Sequence, residues 1–87
     1  MKTLVQVQEV AGEGLLALLG QRITVFCPNY IYTGLLEGVN ETCIKLTAAA
    51  IVYETGAFTD KGWKDAQSLP HALYVQTTAI ESFTVLK

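Results

Sequence analysis

From Gln21 to Leu46, hydrophobic and polar positions alternate with a period of two, the mark of half-buried strands. "QRITVF" sets Ile23 and Val25 on one side and Thr24 and Phe26 on the other. "CPN" reads as a turn, because Pro28 presets φ and Asn29 tolerates turn geometry. In the next strand Tyr30, Tyr32, Gly34, Leu36 and Gly38 share one side, and Ile31, Thr33, Leu35 and Glu37 the other. "VNET" turns the chain into a long strand over residues 43–54, with Ile44, Leu46, Ala48, Ala50 and Val52 on one face. The small residues "TAAA" in its middle allow a bend or a close neighbour. Two final strands, "HALYVQ" and "AIESFTVL", flank a tight Thr77–Thr78 turn.

Three segments depart from this pattern. "GEGLLALLG" places Leu15, Leu18 and Leu19 on one helical face, which predicts a short capping helix too small to stand alone. Residues 1–11 alternate weakly and read as an arm or extra strand. Residues 55–70, "TGAFTDKGWKDAQSLP", form a long irregular connection between the third and fourth strands. Loops of that length in compact domains are usually functional or interfacial. The expected fold is mostly β: a short N-terminal helix, then five strongly bent antiparallel strands forming a small sheet or barrel.

Composition changes this picture in one respect. Eighty-seven residues make a single domain, 1–87, and a chain this short buries only about 60% of its unfolded surface. Yet 51% of the residues are apolar and 16% charged, with mean hydropathy +0.33. The excess predicts a subunit interface and hence a homo-oligomer. The net charge is −2, and among the basic residues only Lys61 and Lys64 are near neighbours. No basic patch of the kind that neutralises phosphates is visible in the linear sequence. Cys27 and Cys43 read as two free thiols of a cytoplasmic protein, since nothing points to an oxidising compartment. "LLALL" is far too short to span a membrane.

Over "LLGQRITVFCPNYIYTGLLEGVNETCIKL" the chain resembles the Sm and Sm-like (Lsm, Hfq-like) family. Leu19, Gly20, Arg22, Ile23 and Val25 match the start of that family's first motif. Tyr32, Gly34, Leu36, Gly38, Val39 and Asn40 match its "Y-x-G-x-L-x-G-F-D" element, with Asn40 where aspartate is usual. "VQTTAI", Val75 to Ile80, has the spacing of the second motif, so the likeness runs from about Leu15 to Phe83. It implies a small SH3-like barrel whose second strand bends at glycine; Gly34 fits that bend, and Gly38 the approach to the turn. It also implies a ring, closed by pairing "HALYVQ" of one copy with "AIESFTVL" of the next. Leu73, Tyr74, Val75, Ile80 and Phe83 would then form the subunit interface.

In RNA-binding members of the family, two loops near the pore contact bases. The resemblance carries those positions onto Asn40, Glu41, Thr42 and Cys43 in the first loop and Gln76, Thr77 and Thr78 in the second. The first loop is one residue short, so either Glu41 and Cys43 or Thr42 and Ile44 take the stacking and base-reading places. Gln76 stands where arginine is usual, and Thr77 where glycine is. These residues offer hydrogen bonds but neither stacking nor positive charge. A polar pore lining is therefore favoured over an RNA site.

The 55–70 segment carries Phe58, Lys61, Trp63 and Lys64, an aromatic group among lysines that could anchor a partner or stack a nucleotide. Trp63 as the loop's own packing anchor is the better reading. His71 follows Pro70 at a strand start and suits a surface or interface role better than metal ligation. One histidine and two cysteines cannot complete a structural zinc site in one chain, and "TGAFTDKGW" lacks phosphate-loop spacing. No cofactor and no catalytic constellation is expected. The sequence thus predicts a non-enzymatic, ring-forming binding or assembly module, with RNA the ligand implied by resemblance. The alternative is a structural or protein-interaction ring that binds no nucleic acid.

Overall fold

The computed structural model describes residues 14–87, and the arm expected over 1–11 lies outside them. Six strands form one antiparallel sheet: β1 (Arg22–Phe26), β2 (Ile31–Val39), β3 (Cys43–Glu54), β4 (Asp65–Ser68), β5 (Leu73–Gln76) and β6 (Ser82–Val85). The hydrogen-bonded order is β4-β3-β2-β1-β6, with β5 paired to the other half of β3. Among the described residues no pairing joins β6 to β4 or β5, so the sheet is open rather than closed into a barrel. The short helix expected over this apolar run does not form; a single 3-10 turn, Leu15–Leu18, takes its place, because so short a run cannot meet the cost of helix nucleation. The sixth strand comes from the segment expected to be irregular. Asp65–Ser68 pairs with Ala50–Glu54, which shortens the true loop to residues 55–64.

The bend arises where β2 and β3 lose register. Thr33 faces Ala50 and Leu35 faces Thr47, so Ala48 and Ala49 together oppose Gly34. Ala48 takes φ 47, a left-handed conformation costly for most side chains and milder for a small one. The bulge also breaks the expected alternation: Ala48 is exposed while Ala49 and Ala50 are both buried. A second register shift lies between Leu36 and Gly38. Bulges sharpen strand twist. Beyond the first one, β3 changes partner, from β5 at Cys43–Leu46 to β4 at Ala50–Glu54.

Ile23, Val25, Leu36, Ile44, Leu46, Ala49 and Val75 make the core, with Leu15, Leu18, Leu73 and Ile80 packed against its margin. Fully burying each large aliphatic side chain is worth about 1.5–3 kcal/mol. On the opposite side of β1 and β2, Thr24 and Thr33 are fully buried as a cross-strand pair. The Thr24 hydroxyl donates to Thr33 Oγ1 at 3.5 Å, and the Thr33 hydroxyl lies 2.7 Å from the Lys87 carbonyl and 3.0 Å from that of Ile23. One hydrogen cannot serve both carbonyls fully. The shorter bond, to Lys87, ties the end of the β6 segment to the sheet. Thr33→Val keeps the shape and leaves these partners unsatisfied, so it should lower unfolding free energy by about 1–3 kcal/mol in urea denaturation.

Candidate functional site

The two loops singled out by sequence do meet. Thr77 N–H donates to the Thr42 carbonyl at 2.9 Å, and the Thr77 hydroxyl donates to the Glu41 carbonyl at 3.0 Å. These bonds close one end of a cleft of about 490 Å³ lined by Glu41, Thr42, Cys43, Tyr74, Gln76, Thr77 and Thr78. Six of the seven loop residues expected at the site are therefore brought together. Asn40 is the exception. Its Oδ1 accepts from Thr42 N–H at 2.8 Å, the Thr42 hydroxyl at 3.0 Å and Cys43 N–H at 2.9 Å. That is an Asx turn, so Asn40 shapes the cleft from behind. Its acceptor is already engaged and unsuited to reading a base.

Among the described residues this cleft holds one carboxylate, Glu41, and no lysine or arginine. It can exchange hydrogen bonds through the hydroxyls of Thr42, Thr77 and Thr78 and the Gln76 amide. It supplies no cation to neutralise a phosphate. Tyr74, half of whose surface and more is exposed (61%), is the one aromatic side chain on its wall.

Tyr74 and Gln76 also line a second cleft, of about 280 Å³, which the sequence reading did not anticipate. Its other wall comes from the β1–β2 turn, with Cys27, Pro28, Tyr30 and Tyr32. The Tyr30 and Tyr32 rings sit 6.2 Å apart at a tilted angle. The signal was present as "YIY", since a period of two puts both rings on one side of a strand. What the sequence did not reveal was that β5 would pass beside them.

Both cysteines are free thiols, each half-buried. Burial, and then the negative charge of Glu81, push the Cys27 thiol above its ordinary range. Burial chiefly, with Cys27 and Tyr30 nearby, does the same to the Tyr32 phenol. The thiolate is the reactive form, so Cys27 should alkylate with iodoacetamide at pH 8 several-fold more slowly than a free cysteine. Glu81→Gln should recover only the smaller, charge-derived part of that deficit, as read by mass spectrometry of the Cys27 peptide.

The candidates for a partner surface separate. Phe58 is exposed (52%) and meets Phe26 edge-on, with ring centroids 6.4 Å apart. Lys64 approaches Glu54 at 3.5 Å, a solvent-exposed pair of little energetic weight. Lys61 is exposed. Trp63 is turned inward: its indole N–H donates to the Lys87 carbonyl at 3.1 Å, and its ring lies 4.6 Å from the Lys87 ammonium. It anchors its own loop. Among the residues assigned to a subunit interface, Val75 is buried in the core, and Leu73 and Ile80 pack on the core margin. Tyr74 and Phe83 remain outward, joined by Val85 at 51% exposure.

Among the described residues no three His, Cys, Asp or Glu side chains gather as metal ligands, and no helix is long and apolar enough to cross a membrane. Comparison with protein-family models, with curated proteins and with solved structures finds no match. Fold and site together define a class: a small, bent antiparallel β domain with two adjoining clefts and, among the described residues, unpaired sheet edges.

Proposed function

We propose that this chain is a ring-forming, non-enzymatic module of Sm-like type, whose rings present the two-loop cleft as a polar binding surface. The observation that carries the reading is the pair of free edges. Among the described residues β5 is hydrogen-bonded only to β3 and β6 only to β1, so there each offers an unpaired row of backbone donors and acceptors. Tyr74, Phe83 and Val85 are exposed on those same strands. Free edges with exposed apolar residues favour pairing with another chain. The β5 edge of one copy would pair with the β6 edge of the next, a head-to-tail contact that closes into a ring when the rotation permits. The bent sheet, with Gly34 at its bulge and the two loops brought together, supports the same reading. Light scattering at micromolar concentration tests it. A discrete multi-subunit particle is expected, and a stable monomer overturns the proposal.

RNA is the ligand that the family resemblance suggests, and the cleft lining weighs against it. Glu41 and the absence of lysine or arginine there favour a ring that works through structure or protein contact. Titration with oligo-U and oligo-A at low salt decides between the two. At about 50 mM salt phosphate contacts are strengthened tenfold or more over physiological conditions. No binding is expected even there. Tight, salt-sensitive binding would restore the RNA reading.

A further inference from the structure

Lys87 does more than end a strand segment. Its ammonium donates to three backbone carbonyls of the 55–64 loop: Thr55 at 3.1 Å, Ala57 at 2.8 Å and Gly62 at 2.6 Å. The indole of Trp63 covers the same ammonium at 4.6 Å from ring centroid to Nζ. A primary ammonium has three hydrogens, and here each has an acceptor. Tryptophan is the best aromatic partner for a cation. Gly56, with φ 68, takes the left-handed conformation that lets the flanking Thr55 and Ala57 carbonyls converge on one point. A side chain there would also crowd Lys64 Cβ, 3.3 Å from the position of a Cβ atom. The loop is therefore built around a cation, with full hydrogen-bond complementarity to one chemical class. A quaternary ammonium has no N–H to give. A guanidinium is a flat fork whose hydrogens diverge, so it cannot deliver three to this cage.

We propose that the 55–64 loop is a binding site for a primary alkylammonium group, filled in cis by Lys87 and able to accept the same group in trans. Lys87 lies two residues beyond Val85, the last residue of β6 paired with β1. Its withdrawal breaks no ladder bond. It releases only the ammonium contacts and those of its carbonyl with Trp63 and Thr33. A lysine side chain of a partner and an aliphatic diamine both carry the required group. Lys87 acts as an internal competitor, so outside ligands gain the site when Lys87 is displaced. This reading stands independently of ring assembly.

The test uses the full chain with Lys87→Met, which keeps the apolar stem and removes the ammonium. Trp63 is the single tryptophan, so its emission reports the cage directly. At constant ionic strength, n-butylammonium should produce a saturable change in Trp63 emission of K87M. Half-saturation should fall about tenfold or more below that of the unaltered chain, where a tethered competitor fills the site. Tetramethylammonium should have no effect. Parallel titrations with Nα-acetyl-lysine methylamide and 1,4-diaminobutane assign the natural source, by which of the two half-saturates lower. An equal response to tetramethylammonium overturns the proposal, as does no response in a K87M protein with a native circular-dichroism spectrum. If K87M does not fold, the unaltered chain decides. Its Lys87 ammonium, shielded by three carbonyls, should give a 15N-detected NH3+ signal at neutral pH that excess n-butylammonium abolishes. A signal that is missing, or indifferent to n-butylammonium, overturns the proposal equally.

Discussion

Gly34→Ala is expected to lower unfolding free energy by about 3 kcal/mol, at the upper end of overpacking effects. A Cβ at Gly34 would stand 3.0 Å from the Thr47 carbonyl oxygen, 3.1 Å from Leu46 Cβ and 3.2 Å from Ala49 Cα. Two of these neighbours are backbone atoms of the β3 bulge. They cannot rotate away as a side chain would, and shifting them disturbs the register of β2 on β3. With a urea slope of about 1 kcal/mol/M, normal for a small domain, the midpoint should fall by about 3 M. Gly38 supplies the control. There a Cβ would meet only Lys45 Cβ, at an ordinary 3.6 Å. Gly38→Ala should stay within about 0.5 kcal/mol of the unaltered chain, since no named destabilising mechanism applies. If the two variants prove equally harmless, close backbone approach is not the reason for Gly34.

That contrast marks how far the sequence could be read. The period-two pattern located β1, β2 and β3 within a residue or so, because alternation is a local property of the chain. It put Gly34 and Gly38 on one side of β2, and the resemblance gave the bend to Gly34 and the approach to the turn to Gly38; of these two, Gly34 is the one that faces backbone at close range. Which glycine does so depends on where β3 bulges, and Ala48 gives little local sign of its left-handed φ. Asp65–Ser68 was missed as a strand for a related reason. All four of its residues are exposed, so it lacks the buried face that makes a strand legible. The two-loop cleft was reachable through family resemblance, which matched spacing across 36 residues of chain between Glu41 and Thr77. The Lys87 cage had no sequence signal. Its acceptors are backbone carbonyls, which any residue carries.

The edges were half legible. Alternation correctly gave two terminal strands with apolar residues, and it could not say which of those residues the fold itself would bury. Val75 and Phe83 look alike in sequence, yet Val75 is 4% exposed and Phe83 37%. Pairing alone does not separate them: Val75 lies across from Ile44 and Phe83 across from Val25, both fully buried, on strands that each have one partner among the described residues. Surface left open after folding is what remains for assembly.

If the proposed ring forms, combining Tyr74→Lys with Val85→Lys in one chain should dissociate it to monomers. Both side chains are more than half exposed, so neither change opens the core. In a head-to-tail contact, β5 of one copy meets β6 of the next, and each interface would receive both lysines. Lost apolar burial and apposed like charges together should cost about 3–4 kcal/mol per contact, raising its dissociation constant several-hundred-fold. The single variants give a sharper result. A Tyr74→Lys chain keeps a good β6 edge, and a Val85→Lys chain keeps a good β5 edge. Mixed in equal amounts, they can form one intact contact and no second one. Light scattering should therefore find a 1:1 pair that grows no further, although each variant alone is monomeric. Symmetric pairing of like edges predicts otherwise: Tyr74→Lys would leave β6-to-β6 dimers untouched, and mixing would change nothing. A discrete mixed dimer thus identifies both the strands that meet and the direction in which they meet.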